Sequence, residues 1–288
     1  MQLAITPERS VVASQAARQA VRALYVEVTL EPKPGLVSLR DNGSHTDMHA
    51  ATFVRSLFAL RHYFAAIAQA GFEGRDFTDL QTLGVAAEAR MLQATRGVNT
   101  HRGAIFALGL LCAAAGRLHA DKVPLHPQQL RQTLRQTWGE ALYARAQTEA
   151  LQSPQSNGQR AARRFGLRSA TREAADAFPT LFEVTLPALQ HALGSGLQPR
   201  AARVQALFAT MAVLDDTNLA HRGGLQGLHR VKDCAARFLS QGGVSQADWL
   251  ERARMVHAQL VAERLSPGGS ADMLACACWM QGISGDRA

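Results

Sequence analysis

The sequence predicts an all-α protein, a single compact multi-helix domain of about ten helices over residues 1–288. Three observations lead to this prediction. Apolar residues recur with the three-and-four spacing of helices buried on one face, no segment alternates convincingly enough for a strand, and the alanine-rich composition favours helix. A chain of 288 residues that is 47% hydrophobic and 19% charged can bury one large core.

The helices can be placed from their starts, breaks and periodicity. Thr6, Pro7 and Glu8 form a typical helix start, and we expect this helix to run to about Leu30. A stretch rich in proline and glycine then predicts a long polar loop over residues 32–46, which is typical of a functional segment. Further helices are predicted from Ala50 onward and over Leu83 to Leu92, Leu130 to Trp138, Val204 to Leu214 and Val256 to Leu265.

Neither export nor a membrane span is expected. Charged residues and a proline stand where the apolar core of a leader would begin, and the longest apolar run, Ala104 to Ala115, is shorter than the roughly 20 residues of a membrane span. That run is therefore predicted to be a buried helix of a cytoplasmic protein. The four cysteines form no CxxC pair, which predicts buried thiols.

The charge of the chain favours anionic ligands. A net charge of +8 and a pI near 10.0 attract nucleotides, coenzyme A derivatives or nucleic acid without selecting among them. Residues 152–172 are the least apolar region and predict a loop followed by a basic helix or a second loop. Either a solvated face or an anion clamp would explain its arginines, which are Arg160, Arg163, Arg164, Arg168 and Arg172.

Two segments, residues 99–103 and 217–224, resemble each other. Each combines an Asn/Thr pair with a His-Arg-Gly triplet at the predicted start of an apolar helix. Free N–H groups at such a helix end attract phosphate, and an arginine adds a bidentate fork. A third turn, residues 266–272, has two glycines and Ser270, which is suited to cap the next helix. Ordinary helix capping would also give this pattern, but its repetition favours ligand binding.

Carboxylates flank these turns, where they can form plain ion pairs or bind the Mg²⁺ that accompanies ATP. Asp215 and Asp216 are the best metal candidates, and Asp272 follows the third turn. His45, near Asp47, is suited to contact phosphate or to transfer a proton, although a lone histidine is more often structural. The sequence has no P-loop, dinucleotide fingerprint, zinc motif or GxSxG elbow.

Six short blocks follow one another along nearly the whole chain. They are Glu27 with residues 32–37 and 42–48, residues 99–103, 172–174 with 178–179, 186–187, 216–218 with 222–224, and 266–272. Each is weak alone, but together they are specific, and they resemble the triphosphoribosyl-dephospho-coenzyme A synthase family.

The resemblance implies an all-helical enzyme that binds ATP and 3'-dephospho-coenzyme A. Such an enzyme forms 2'-(5''-triphosphoribosyl)-3'-dephospho-coenzyme A and releases adenine. The product is the precursor of a prosthetic group on an acyl carrier protein of malonate decarboxylase or citrate lyase. Ser38 and His49 stand where citrate-lyase-type members have acids, and Ala177 where a glycine is common, which favours malonate decarboxylase.

Displacement at the anomeric carbon of ATP requires a base, a proton donor for adenine and cations for the triphosphate. We expect Glu27 or Asp47 to be the base, without preference between them. The metal or ribose ligands are expected among Asp215, Asp216 and Asp272, with Mg²⁺ as the cofactor. The expected substrate-binding residues are Lys33, His45, Asn99, Thr100, His101, Arg102, Arg172, Asn218, Arg222, Gly223, Gly268, Gly269 and Ser270.

Two other functions fit parts of the pattern. A Mg²⁺-dependent hydrolase of ADP-ribose-type N-glycosides would also use an aspartate pair and a glycine turn. A helical nucleic-acid binder would explain the +8 charge, but the arginines form no continuous stripe and aromatic residues are few. Neither nucleic acid nor a membrane is therefore an expected partner, and the sequence leaves the oligomeric state open.

Overall fold

A computed structural model of the chain describes residues 7–285, and the side chains of residues 13–283. The structure is 76% helical and has no strand within these residues, which confirms the all-α class. Thr6, the predicted helix start, lies outside them. The helices are α1 (Pro7–Thr29), α2 (Ala50–Phe72), α3 (Phe77–Ala94), α4 (Arg102–Ala120), α5 (Pro127–Leu151), α6 (Asn157–Phe165), α7 (Ala170–Ala175), α8 (Leu186–Gly194), α9 (Pro199–Val213), α10 (Thr217–Ser240), α11 (Trp249–Ala262) and α12 (Gly268–Gly285), with a π-helical turn at Leu181–Thr185 and a 3₁₀ turn at Gly243–Ser245.

Helices α2 and α4 form the most closely packed pair. A Cβ on Gly71 would lie 1.9 Å from the carbonyl oxygen of Ala113, and a Cβ on Gly116 would lie 1.9 Å from that of Ala68. These glycines let the two backbones touch, which fixes the separation of α2 and α4. Helices α1 and α12 pack beside them, and the Trp279 indole donates to a carbonyl of α1.

Helix α4 contains the longest apolar run of the sequence. It is long and apolar enough to cross a membrane, yet 72% of its most apolar window is buried inside the protein. Its side chains join a hydrophobic core that also takes residues from α1, α2, α9 and α12. The predicted buried helix is therefore confirmed as a core helix.

The four cysteines are free thiols, as predicted. Cys112, Cys234 and Cys276 are buried and Cys278 is half-buried. Burial raises the pKa of Cys276 well above its usual range, which suits structural thiols.

The loop between α1 and α2 is fixed against the segment that joins α11 to α12. Gly35 has φ +70°, and a Cβ there would lie 2.1 Å from the carbonyl oxygen of Leu265. The hydroxyl of Ser44 donates to the same oxygen over 2.6 Å. Glu31 at the start of the loop forms an ion pair with Arg254 of α11. These contacts hold the polar side chains of the loop in place.

The basic region over residues 152–172 contains two short helices, α6 and α7. Each begins after a serine: the hydroxyl of Ser156 accepts from the N–H of Gln159, and that of Ser169 accepts from the N–H of Arg172. Such caps satisfy N–H groups that a helix start leaves free. The predicted basic helix is present as α6.

Two predicted helix starts differ from the structure by about one turn. Helix α10 begins at Thr217, so its His-Arg-Gly triplet lies inside the helix, just before a kink at Gly224. Helix α12 begins at Gly268, so Ser270 lies inside the first turn and does not cap it. In both places the cap is supplied by Asp216, which a local sequence pattern does not reveal for α12.

Candidate active site

The N-termini of α4, α10 and α12 meet at one cavity of about 910 Å³. The loop between α1 and α2 and the starts of α6 and α7 also line it. Helix N-termini carry partial positive charge that attracts anions, and here Asp216 and Asp272 accept some of their N–H groups while the others remain for a ligand. This meeting of three helix ends was predicted from the three turns in the sequence.

Asp216 connects two of these helix ends. One carboxylate oxygen accepts from the N–H of Asn218 over 3.0 Å, and the other accepts from the N–H of Ser270 over 3.0 Å. Burial raises the pKa of Asp216, while the backbone donors oppose that rise. Gly268 and Gly269 leave the room that this contact needs, because Cβ atoms there would lie 3.0 and 3.1 Å from Asn218 and Asp216.

Asp272 lies against the start of α4. A Cβ on Gly103 would be 2.0 Å from its carboxylate, so the triplet's glycine is required by this close approach. The N–H of Ala104 donates to Asp272. Burial raises the pKa of Asp272 well above its usual range, and the charges of Glu27 and Asp216 add to the effect. The site therefore concentrates negative charge that a cation would stabilise.

Glu27 and Lys33 form a buried ion pair in the wall of the cavity. Their carboxylate oxygen and ammonium nitrogen lie 2.5 Å apart, and the two residues are 4% and 2% exposed. Burial lowers the pKa of Lys33, and the neighbouring carboxylate partly offsets this. Glu27 comes from the last turns of α1 and Lys33 from the loop that follows, so their pairing joins the helix to the loop.

His101 is buried beside this pair at the start of α4. Its Nδ1 lies 2.7 Å from the hydroxyl of Ser56, and Phe53 packs edge-on against its ring. Among the described residues, neither Nε2 of His101 nor the hydroxyl of Thr100 has a hydrogen-bond partner. Burial, with the charge of Lys33, lowers the pKa of His101 to about 3, so the ring is neutral. Two free polar groups therefore line the cavity.

Arg222 holds His45 in place. Its guanidinium donates to Nδ1 of His45 over 3.0 Å, and the other ring nitrogen lies 2.8 Å from the hydroxyl of Ser266. Burial and the charge of Arg222 lower the pKa of His45, against the opposing effect of Asp47. The carboxylate of Asp47 is 60% exposed and 3.6 Å from the ring. This network ties the loop to α10 and to the start of α12.

Arg102 lies at the rim of the cavity. Its side chain donates to Glu88 of α3, and its N–H donates to the side-chain oxygen of Asn99 over 3.1 Å. Glu88, like Ser56, was not predicted as a site residue. Both lie on helices with regular apolar spacing, and no local motif marks them.

The second aspartate of the pair makes different contacts from the first. The carboxylate of Asp215 accepts from the ammonium of Lys232 over 2.7 Å. A separate ion pair joins Arg168 to the buried Glu173. Among the described residues, no group of three or more His, Cys, Asp or Glu side chains is arranged to hold a metal. Asp215 and Asp216 thus serve separate partners in this structure.

The structure gathers most of the predicted site residues in the cavity wall. These are Glu27, Lys33, His45, Asp47, Asn99, Thr100, His101, Arg102, Asp215, Asp216, Asn218, Arg222, Gly268, Gly269 and Asp272. Ser270 bonds to Asp216 from the first turn of α12, and Gly223 packs on Leu265. Arg172 is not brought to the site, because its side chain bonds to Asp176 and stacks on Tyr143.

An all-α fold whose helix ends, cations and buried carboxylates share one cavity is suited to a helical enzyme that acts on phosphorylated substrates. The profile of the ATP:dephospho-CoA triphosphoribosyl transferase family matches residues 13–287. The chain belongs to this family of enzymes, as the resemblance implied.

Several curated relatives are similar over most of their length. A probable 2-(5''-triphosphoribosyl)-3'-dephosphocoenzyme-A synthase of Acinetobacter calcoaceticus is 39% identical over 258 residues, which are 90% of this chain and 87% of the relative. The synthase of Klebsiella pneumoniae is 40% identical over 88% of this chain and 86% of its own. A probable synthase of Pseudomonas savastanoi is 36% identical over 98% and 95%. No solved structure matches the chain.

Proposed function

We propose that this protein transfers the triphosphoribosyl group of ATP to the 2'-hydroxyl of 3'-dephospho-coenzyme A and releases adenine. The observation that carries the proposal is the convergence of three helix N-termini on a cavity that also holds Glu27, Lys33 and Asp272. Phosphate groups are suited to the helix ends, and the sugar reaction needs the acids.

We propose Glu27 as the base that takes the proton of the attacking hydroxyl. It is 4% exposed and lines the cavity, whereas the carboxylate of Asp47 is 60% exposed. Water is largely excluded from the buried position, which strengthens interactions with the positive charge that develops on the ribose. Lys33 orients Glu27 with one N–H and has further donors for phosphate.

The triphosphate is proposed to lie across the starts of α4, α10 and α12. Each helix end contributes about 0.3 to 1 kcal/mol when exposed, so several are needed together. Arg102 and Arg222 line the same cavity and supply the guanidinium donors. Nε2 of His101 and the hydroxyl of Thr100 are free to bond to the substrate.

Mg²⁺ is the proposed cofactor, and the three candidate aspartates are not equally suited to bind it. Mg²⁺ binds through one or two carboxylates together with phosphate oxygens and water. Asp272 fits best, because it accepts the single N–H of Ala104, whereas both oxygens of Asp216 accept backbone N–H groups and Asp215 is paired with Lys232. When bound, the ion would neutralise charge on the triphosphate.

One assay tests the reaction. The protein is incubated with ATP, Mg²⁺ and 3'-dephospho-coenzyme A, and adenine is followed by chromatography. We expect adenine release only when all three are present. Release from ATP without the acceptor would support the N-glycoside hydrolase instead, and no release at all would reject both activities.

The product is proposed to supply the acyl carrier protein of malonate decarboxylase in the cytoplasm. Ser38 and His49, where citrate-lyase-type members carry acids, support this proposal. Because the reaction is the same for both pathways, an experiment in cells is needed to distinguish the two pathways. Deleting the gene should abolish malonate decarboxylase activity, and loss of citrate lyase activity alone would reverse the assignment.

A further inference from the structure

The cavity continues from the polar site into an apolar arm between α3 and α4. Six residues line this α3 arm: Phe77, Leu80, Gly84 and Val85 of α3, and Phe106 and Leu110 of α4. These six carry no charge, while Gln81 and Glu88 on the same side of α3 also line the cavity and Glu88 is paired with Arg102. A triphosphate would gain nothing from such a surface, which is better suited to a less polar part of a substrate.

Gly84 opens the wall of the α3 arm. A Cβ there would meet a single neighbour, the hydroxyl of Tyr63 at 3.7 Å, which is an ordinary contact. Tyr63 is itself fixed, since its hydroxyl donates to the carbonyl oxygen of Ile105 over 2.8 Å. The space beside Gly84 is therefore open apart from the fixed hydroxyl of Tyr63.

A polar group also faces this cavity from α5. Glu149 lines it together with Arg145, whose Nε lies 2.9 Å from one of the glutamate oxygens. The other oxygen of Glu149 is buried and has no hydrogen-bond partner among the described residues. A buried acceptor without a donor is costly, and a ligand carrying N–H or O–H groups would satisfy it.

We propose that the α3 arm binds the pantetheine chain of 3'-dephospho-coenzyme A. This proposal rests on the proposed function, which makes that molecule the acceptor. Pantetheine is a long chain of apolar segments with amide N–H groups and a hydroxyl, and ATP has no comparable part. The arm offers it apolar walls, and Glu149 offers an acceptor. The acceptor nucleotide is thereby kept apart from the ATP triphosphate.

Filling the arm at Gly84 tests the proposal. In Gly84→Leu the new side chain projects into the arm, and we expect the KM for dephospho-coenzyme A to rise at least about tenfold. The KM for ATP should change by less than about threefold, since the new side chain reaches the polar site only through Glu88, one turn along α3, which is paired with Arg102. Gly84→Ala places only a methyl group there and should have a small effect. The matched control is Gly139→Leu in α5, another helical glycine, whose Cβ would meet its nearest atom at 3.9 Å.

A direct binding measurement separates the arm from the reaction. 4'-Phosphopantetheine carries the chain without adenosine, and calorimetry should show that it binds the wild type and Gly139→Leu but binds Gly84→Leu at least about tenfold more weakly. Such a loss of binding confined to Gly84→Leu would support the arm even if no adenine were released. Equal binding to all variants, no binding to the wild type, or a rise in KM confined to ATP would overturn the proposal.

Discussion

The two His-Arg-Gly triplets have the same sequence but different surroundings. In the first, His101 is buried, and Gly103 leaves room for the carboxylate of Asp272. In the second, His221 is exposed, and Arg222 reaches back to hold His45. The first triplet forms part of the cavity wall, and the second ties the α1–α2 loop to α10. A repeated motif therefore predicts a shared location more safely than a shared role.

The largest expected difference is in kcat, between a variant of the acid Glu27 and a variant of the acid Asp47. Glu27 belongs to the side of the first triplet, while Asp47 lies beside the histidine that the second triplet holds. We expect Glu27→Gln to lower kcat by about 10²- to 10⁴-fold, as loss of a proton-transfer group does, with both substrates still bound. Asp47→Asn should lower it by less than about threefold, since its carboxylate is largely solvated.

Steady-state kinetics and calorimetry measure these two effects. Circular dichroism must show that Glu27→Gln keeps its helices, because the change leaves Lys33 buried without its ion pair. A large loss of turnover in Asp47→Asn, together with normal turnover in Glu27→Gln, would assign the base to the loop side instead.

The glycines of the triplets give the next largest difference. Gly103→Ala places a methyl group 2.0 Å from the carboxylate of Asp272, so we expect a loss of about 1–3 kcal/mol in stability and a marked loss of turnover. Gly223→Ala meets only the end of the Leu265 side chain, at 2.6 Å, which can rotate away. Urea unfolding should show less than about 1 kcal/mol of change there. Equal losses in the two variants would contradict the different surroundings of the triplets.

The arginines should differ less. Arg102→Ala and Arg222→Ala are each expected to weaken ATP binding by about 1.5–3 kcal/mol, the cost of losing charge-assisted hydrogen bonds, with helical circular dichroism unchanged. Arg222→Ala should also raise the KM for the acceptor, because it releases His45 and the loop. The control is Arg90→Ala, an exposed arginine of α3. If both variants bind ATP as tightly as the wild type, the two triplets do not bind ATP and are explained by ordinary helix capping.

The fold was predictable because it follows from local periodicity. The helix starts and breaks read from the sequence place α1, α2 and α4 within a few residues. The convergence of the three turns also followed, since each turn carried its own signal. Ser56 and Glu88 carried no such signal, because their roles come from helices that meet only in the folded chain.

One local expectation was wrong and one predicted site residue lies away from the cavity, in each case because another residue competes for the group. Ser270 was expected to cap its own helix, but Asp216 reaches its N–H from 54 residues away along the chain. Arg172 belonged to a matching block, yet Asp176 one turn later takes its guanidinium away from the cavity. Short motifs do not record which partner, near or far along the chain, competes for a group.

The last expected effect concerns the histidines of the triplets and the dependence of stability on pH. Burial holds the pKa of His101 at about 3 in the folded state, against about 6.5 in an unfolded chain. Between these values the unfolded state binds a proton that the folded state does not, so stability is lost as the pH falls below about 6.5. His101→Asn removes this contribution, and its stability should fall less steeply than that of the wild type between about pH 6.5 and pH 4.

Urea unfolding at several pH values measures that slope, and the difference should be on the order of 1.4 kcal/mol per pH unit, the slope of one proton. Burial also raises the pKa of other groups, Asp272 among them, so only the difference between variant and wild type is informative. His221→Asn is the matched control, because the same residue type in the second triplet is exposed. The prediction fails if His101→Asn keeps the wild-type slope of stability against pH, or if His221→Asn changes that slope by as much. In either case the fold would not hold the ring of His101 neutral, and the two triplets would not differ in the protonation of their histidines.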